Sequence, residues 1–150
     1  MRMEIRDIKL NDTKLRALPD RFRSMGDALV RRTAYWIEGK AKTLCIYDTG
    51  FLRSSIYTLD SQRGGTPADA ARAMARSKLE ARGLPGRPFS APPTPPKALT
   101  AYVVVGAEYG AFIEYGTIRS RAYPFLTPAF EAARPEWEEG LRKLWAEVDR

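Results

Sequence analysis

The side chains of this chain that could perform hydrolysis are its carboxylates, and the candidates are Asp48, Asp60, Glu108 and Glu114. A glycosidase needs two such groups close together, one to donate a proton and one to attack or to activate water, and a two-carboxylate nuclease likewise needs a pair. Nothing in the sequence spacing brings two of these carboxylates together at one site. A two-carboxylate enzyme is therefore kept only as an alternative function. The sequence also has no Gly-rich phosphate-binding loop ending in Gly-Lys-Ser.

The composition removes the commonest catalytic and metal-binding chemistry. The 150 residues contain no His, which excludes His-based acid–base catalysis, Ser-His and Cys-His nucleophile pairs, and His-containing zinc sites. Cys45 is the single cysteine, so no intrachain disulfide can form. Its apolar neighbourhood predicts a small buried side chain, with a reactive thiol as the alternative. We therefore expect no enzymatic activity, no cofactor and no metal.

Glu114 is the best-placed polar residue because it begins a Glu-Tyr-Gly-Thr step. We expect a structural role for its carboxylate, which would pair with Arg53, Arg119 or Arg121, or would cap a local backbone turn. A salt bridge between subunits is the sharper alternative. Each of these roles belongs to assembly and none to turnover.

Length and composition indicate one domain over residues 1–150, with an ordinary hydrophobic fraction of 44%. No apolar run approaches the roughly 18 residues that span a bilayer, so no membrane partner is expected. The first six residues have no apolar segment typical of a secretory signal. We therefore expect the protein to remain in the cell that makes it.

Two motifs stand out. The run at 109–129 reads Tyr-Gly-Ala-Phe-Ile-Glu-Tyr-Gly-Thr-Ile-Arg-Ser-Arg-Ala-Tyr-Pro-Phe-Leu-Thr-Pro-Ala, which joins an aromatic-rich turn, a basic tripeptide and a Pro-Phe-Leu step. The run at 48–56 reads Asp-Thr-Gly-Phe-Leu-Arg-Ser-Ser-Ile. Both resemble, in order, the small tail-completion proteins of long-tailed bacteriophages. One departure is Tyr123, where the family usually has Arg or Gln before the proline.

The resemblance implies a structural virion protein of the neck or tail, assembled in the host cytoplasm. Such a tail terminator forms a ring, expected to be hexameric, that caps the tail tube and joins it to the head-side connector. Its partners are copies of itself, the tail tube protein and the connector or stopper protein, while duplex DNA passes through the lumen without sequence-specific contacts. A head-side stopper at the neck is the alternative within this class.

The resemblance also implies an α+β fold: a small antiparallel β-sheet packed by a long N-terminal helix and a C-terminal helix, with a long inserted arm. In such a ring, a set of residues from the two motifs would shape the core and the contacts between subunits. These residues are Arg53, Glu114, Tyr115, Gly116, Thr117, Arg119, Arg121, Pro124, Phe125 and Leu126.

Charge and proline content single out residues 60–98 as the arm. Between residues 63 and 97 there are seven basic and two acidic residues, whereas residues 129–150 have four basic and six acidic. A basic segment and an acidic helix suit subunits that pack head to tail, although both could simply be solvated. We predict a flexible arm that grips a neighbouring subunit or the tube, or else a disordered segment. Its basic residues are Arg63, Arg72, Arg76, Lys78, Arg82, Arg87 and Lys97.

A basic nucleic-acid-binding module is the alternative from another class. The sequence pI near 9.8 favours it. The absence of a known reader motif, and aromatic residues at expected core positions, argue against it.

Periodicity independently predicts a similar architecture. Residues 3–10 alternate as a strand, with possible helix N-caps at 11–13, and a long helix begins near Asp20. Strands are predicted at 54–59 and 101–106, and a helix of high propensity at 67–82. A short helix at 108–116 would turn Tyr109, Phe112 and Ile113 inward. The last helix opens at Pro128, and Pro135 would kink or restart it.

Overall fold

The structure is a computed structural model that describes residues 2–3, 20–48, 50–62, 66–92, 94 and 96–148. Within these residues, five helices and three strands form an α+β fold in which helices flank a small antiparallel sheet. In chain order the elements are β1 (Arg2–Met3), α1 (Asp20–Leu44), α2 (Phe51–Ser54), β2 (Ile56–Asp60), α3 (Thr66–Glu80), β3 (Ala101–Val105), α4 (Gly110–Tyr115) and α5 (Leu126–Val148).

Helix α1 begins at Asp20, whose carboxylate lies in the first turn. A negative charge there stabilises the helix because the N-terminal end of the helix dipole is positive. Its buried positions form one stripe that includes Phe22, Ile37 and Ala41. The predicted long helix is therefore confirmed. Of the strand predicted at 3–10, only β1 falls among the described residues; the rest, with the N-caps predicted at 11–13, lies outside them.

The sheet has the order β1-β3-β2, and both pairings are antiparallel. In the longer pairing, Ile56 lies opposite Val105 and Asp60 lies opposite Ala101. Strand β3 is central, which fits its apolar sequence. Strand β2 begins two residues later than predicted because the preceding residues form the short helix α2, which follows Gly50 at a φ of 82°.

Helices α1 and α5 pack against each other, and α1 also packs on the sheet. The main core is apolar and is formed by α1, the sheet and α5. Helix α1 contributes Ile37 and Ala41, the sheet contributes Ile56 and Val105, and α5 contributes Ala129. We attribute most of the fold's stability to this burial, at roughly 25 cal/mol for each Å² of apolar surface removed from water.

Helix α3 corrects the expectation of a flexible arm. Ala75 and Leu79 are completely buried, and both belong to the main core. The small alanine side chains let this helix approach α2 and β2 closely. The predicted helix is confirmed, but it is an integral layer of the domain.

The Pro-rich segment after α3 is anchored to the sheet by Phe89. This residue forms an isolated bridge with Ala107, and the Ser90 amide donates to the Gly106 carbonyl at 2.7 Å. The Phe89 ring lies so close to Gly106 that a Cβ there would come within 2.3 Å of it. The ring also stacks on Tyr57, with 6.0 Å between centroids.

Helix α5 begins at Leu126, two residues before the predicted start, and runs to Val148 as one element. The predicted restart at Pro135 is therefore wrong. Pro135 is exposed, while Ala129 and Ala133 on the preceding turns are buried in the main core. Proline has no backbone N–H, so one helical hydrogen bond is lost at this position. Packing against α1 keeps the helix continuous despite that loss.

In the part of the chain that the structure describes, none of the helices combines the length and apolarity needed to cross a bilayer.

Candidate docking surface

The Glu114 carboxylate ties α4 to the start of α5. Its Oε2 accepts hydrogen bonds from the backbone amides of Phe125 at 2.8 Å and Leu126 at 2.9 Å, and its Oε1 accepts from the Thr127 amide at 2.8 Å. The first amides of a helix have no intrahelical acceptor, so a carboxylate in this position caps the helix. Of the expected roles for Glu114, the backbone cap is the one found, although it acts across eleven residues or more.

The environment of Glu114 stabilises its charged form. The residue is only 2% exposed, and burial by itself would raise its pKa. Hydrogen bonds from the side chain of Thr127 and from the three amides outweigh burial, so the pKa of Glu114 lies below its ordinary value. The cap is therefore ionised at neutral pH.

The loop between the two helices is a short closed turn. The Thr117 amide donates to the Ser120 carbonyl at 2.9 Å, and the Tyr123 amide donates to the Ile113 carbonyl at 2.8 Å. Gly116 has a φ of 76°, and a Cβ on it would lie 2.8 Å from the Ala122 nitrogen. Both facts require glycine here. The loop is thus held at its base by Glu114 and along its length by backbone bonds.

Helix α4 and this rigid loop together present large apolar side chains to solvent. The relative exposures are 61% for Phe112, 65% for Tyr115, 106% for Ile118 and 50% for Tyr123. Arg119 and Arg121 lie on the same loop and are exposed. We call these six residues the turn surface. Rigid, clustered apolar exposure of this kind is typical of a protein–protein contact.

Phe112 corrects a sequence prediction. Helix α4 was expected to turn Tyr109, Phe112 and Ile113 inward, but only Tyr109 and Ile113 pack on the core. The inward face of this six-residue helix also includes Gly110 and Glu114, both buried. Because Glu114 must point towards the start of α5, Phe112 is turned to solvent.

The two arginines of the turn surface have no ion pair within 4.0 Å among the described residues. Arg119 and Arg121 were expected as possible partners of Glu114, but all its hydrogen bonds in the structure come from Phe125, Leu126 and Thr127. Both side chains are exposed, so their charges remain available at the surface.

The other residues predicted for the contact divide into two groups. Phe125 and Leu126 are 0% and 1% exposed and belong to the main core, so they support the turn surface from beneath and cannot contact a partner themselves. Thr117 and Pro124 are exposed on the loop, beside the turn surface.

Arg53 lies in a different part of the molecule. Its guanidinium lies 5.0 Å from the centroid of the Tyr47 ring and 3.4 Å from the Cys45 carbonyl oxygen. It therefore fastens the chain after α1 and does not approach Glu114. Cys45 is buried, and this burial raises the pKa of its thiol to about 11 although Arg53 acts in the opposite direction. The thiol is protonated at neutral pH, which fits the predicted buried hydrophobe.

Most of the basic residues on the 60–98 segment have partners inside the molecule. Arg72 and Arg76 pair with acids on the same helix, at 3.7 Å from Asp69 and 2.9 Å from Glu80. Arg82 donates to the Asp48 carbonyl at 3.0 Å, and Arg87 lies 5.3 Å from the centroid of the Tyr109 ring. Lys78 and Lys97 are exposed. Arg63 lies outside the described residues.

The carboxylates considered for hydrolysis do not form a site of their own. Asp60 is buried on β2, where it accepts hydrogen bonds from the Tyr35 hydroxyl at 3.1 Å and from the Gln62 amide at 2.9 Å. Asp48 and Glu108 are exposed. Among the described residues, no group of three or more acidic or cysteine side chains could hold a metal ion.

Sequence reasoning missed the outward direction of Phe112 and the breadth of the apolar exposure. A signal was present: the only charged residues between 115 and 130 are two arginines, and large apolar residues alternate with them. A buried loop of this composition would leave both charges without partners.

Comparison with family models, curated proteins and solved structures finds no significant match for this chain. The likeness to tail-completion proteins therefore rests on the two sequence motifs alone.

Proposed function

We propose that this protein is a structural assembly subunit: a ring-forming tail terminator at the head–tail junction of a long-tailed phage. The observation that carries the proposal is the turn surface, where α4 and the loop after it expose four large apolar residues and two arginines that have no ion pair among the described residues. The longer of the two resembling motifs, at 109–129, covers this whole loop.

The construction of the loop favours binding over turnover. The Glu114 carboxylate and the positive φ of Gly116 hold the backbone, and the side chains of the turn surface are apolar or permanently charged. A rigid surface loses little conformational entropy when a partner covers it, so such a loop is preorganised for a protein contact. A hydrolytic site would instead need a reactive group at the exposed centre.

In the proposed ring, the subunit contacts further copies of itself, expected to be six in all, and the end of the tail tube. The other side of the ring meets the head-side connector, and duplex DNA passes through the lumen. Such a protein acts only through interfaces, which bury apolar surface at their centres and are oriented by complementary charge.

The decisive experiment adds the purified protein to tail tubes and examines the tube ends by electron microscopy. We expect a ring of density at one end of each tube, arrest of tube growth, and a central hole wide enough for duplex DNA. Ile118→Asp should abolish this binding. Leu44→Ser, which removes an exposed apolar side chain at the end of α1, is the matched control and should bind normally.

The same experiment separates the alternatives. Binding to the head connector but not to tube ends would identify a stopper. Tight binding to DNA that weakens steeply with salt, with no binding to tubes or connectors, would identify a nucleic-acid-binding module and refute the proposal.

A further inference from the structure

The outer side of the α1–α5 pair contains an open apolar groove. It has a volume of about 360 Å³, and Met25, Leu29, Gly140 and Leu144 form much of its lining. Ala28, Arg32, Lys143 and Glu147 complete the lining. Every one of these residues lies in the described part of the chain.

The charged residues of the groove are unequally compensated. Arg32 pairs with Glu136 at 3.4 Å, and Lys143 pairs with Glu139 at 2.7 Å. Glu147 has no ion pair within 4.0 Å among the described residues. Among the described residues, the uncompensated charge of the groove lining is therefore negative, and that of the turn surface is positive because of Arg119 and Arg121.

The two surfaces also match in chemistry and size. Ile118 is fully exposed at the tip of the turn, with the two arginines following close behind it. A groove of this volume can accept an aliphatic side chain with its backbone, and Glu147 can then meet a guanidinium. The tip is apolar and lies beside positive charges, whereas the groove is apolar and lies beside a negative charge. The two surfaces are therefore complementary.

Distance prevents this contact within one molecule. The turn is tied to the start of α5 near Leu126, whereas the groove lies around Leu144, 18 residues further along the same helix. At 1.5 Å per residue these two points of the helix are roughly 27 Å apart along its axis. The tip of one chain can therefore enter only the groove of another.

We propose that the Ile118 tip of the turn surface docks into the α1–α5 groove of a second copy of this chain, with Arg119 or Arg121 against Glu147. This inference rests on the proposed function, since it names the contact that joins neighbouring subunits. Because the two surfaces differ, the contact is heterologous: each copy offers a tip on one side and a groove on the other. Repetition of such a contact closes into a ring or continues as a filament.

Two variants that each block one side test the contact. Ile118→Asp places a charge on the tip, and Ala28→Arg fills the groove from an exposed position on α1. Neither change removes a buried side chain, and circular dichroism checks that both variants fold. Native mass spectrometry and sedimentation are measured over a concentration series up to the solubility limit, for each protein alone and for the equimolar mixture.

We expect the unmodified chain to form closed oligomers and each variant alone to remain monomeric. The mixture should give one-to-one dimers and nothing larger, because one variant keeps only a groove and the other only a tip. An unmodified chain that stays monomeric, or a mixture that stays monomeric or forms full oligomers, would overturn the docking contact.

The result of this mixing experiment can be distinguished from the result of the tail-tube experiment. Capping of tubes by a chain whose mixture gives no dimers would remove the docking contact and keep the proposed function. Dimers in the mixture, from a chain that ignores tube ends and connectors, would keep the contact and remove the function.

Discussion

The segment at 66–98 and the loop between α4 and α5 differ in where they direct their aromatic and charged side chains. In the first segment Phe89 turns inward onto Gly106 and Tyr57, and Arg72 and Arg76 pair with acids one turn away. Helix α4 and the loop turn Phe112, Tyr115 and Tyr123 outward. The two loop arginines have no ion pair among the described residues. The segment at 66–98, which was expected to be an arm, is thus a layer of the fold. The loop between α4 and α5, which was expected to lie partly in the core, is the more exposed of the two regions.

The comparison teaches that composition alone does not reveal an interaction surface. Basic residues and prolines are abundant at 60–98, yet many of those charges are compensated inside the molecule. The loop has only two basic residues, but its backbone is held rigid by a buried carboxylate and nothing in the described fold compensates them. The surface available to a partner is determined by which groups the fold leaves uncompensated.

The largest expected effect tests whether α3 is a layer of the domain. Leu79→Ala should lower the free energy of unfolding by about 3 kcal/mol, since it leaves a cavity at a completely buried site. Urea denaturation measures the change. Met74→Ala, on the exposed face of the same helix, is the control and should change stability by less than about 0.5 kcal/mol. Equally small changes in stability for the two variants would show that α3 is a peripheral arm and not a layer of the domain.

A smaller loss is expected at the base of the turn surface. Glu114→Ala should destabilise the protein by about 2 kcal/mol, because it leaves the buried amides of Phe125 and Leu126 without an acceptor. Glu114→Gln keeps one acceptor oxygen and should cost less. Chemical denaturation at neutral pH gives both values, and an alanine variant as stable as the parent would contradict the role of the cap.

The pH dependence of stability should report the same carboxylate. In the unfolded chain Glu114 titrates near its ordinary value of 4.5, and in the folded chain its pKa is lower. Its contribution is therefore complete above the unfolded value and is lost as the pH falls through the folded one. We expect the unfolding free energy of the parent to fall more steeply in acid than that of Glu114→Gln. Parallel profiles from neutral to acid pH would show that the cap is not ionised.

The smallest effect on stability is expected on the turn surface itself. Ile118→Ser should change the unfolding free energy by less than about 0.5 kcal/mol, because the side chain is fully exposed. The same substitution should nevertheless weaken self-association in sedimentation experiments. A large loss of stability would mean that Ile118 packs within its own chain, and the distinction between the two regions would fail.

The sequence by itself was sufficient for the elements with strong local patterns. The stripe of α1, the apolar run of β3 and the helix propensity of α3 each determine a conformation through neighbouring residues, so these predictions succeeded. The motif at 109–129 also covers the loop that carries part of the turn surface. Local pattern was enough in these places because the deciding interactions lie within a few residues.

Only the tertiary structure decided which partners those elements meet. Glu114 had several possible cationic partners in the sequence, but the fold brings the amides at the start of α5 to its carboxylate and leaves Arg53 elsewhere. The same constraint turns Phe112 outward, and close packing of small residues makes α3 part of the core. These outcomes depend on contacts between residues distant in the chain, and such contacts are determined by packing and burial, which have no local signature in the sequence.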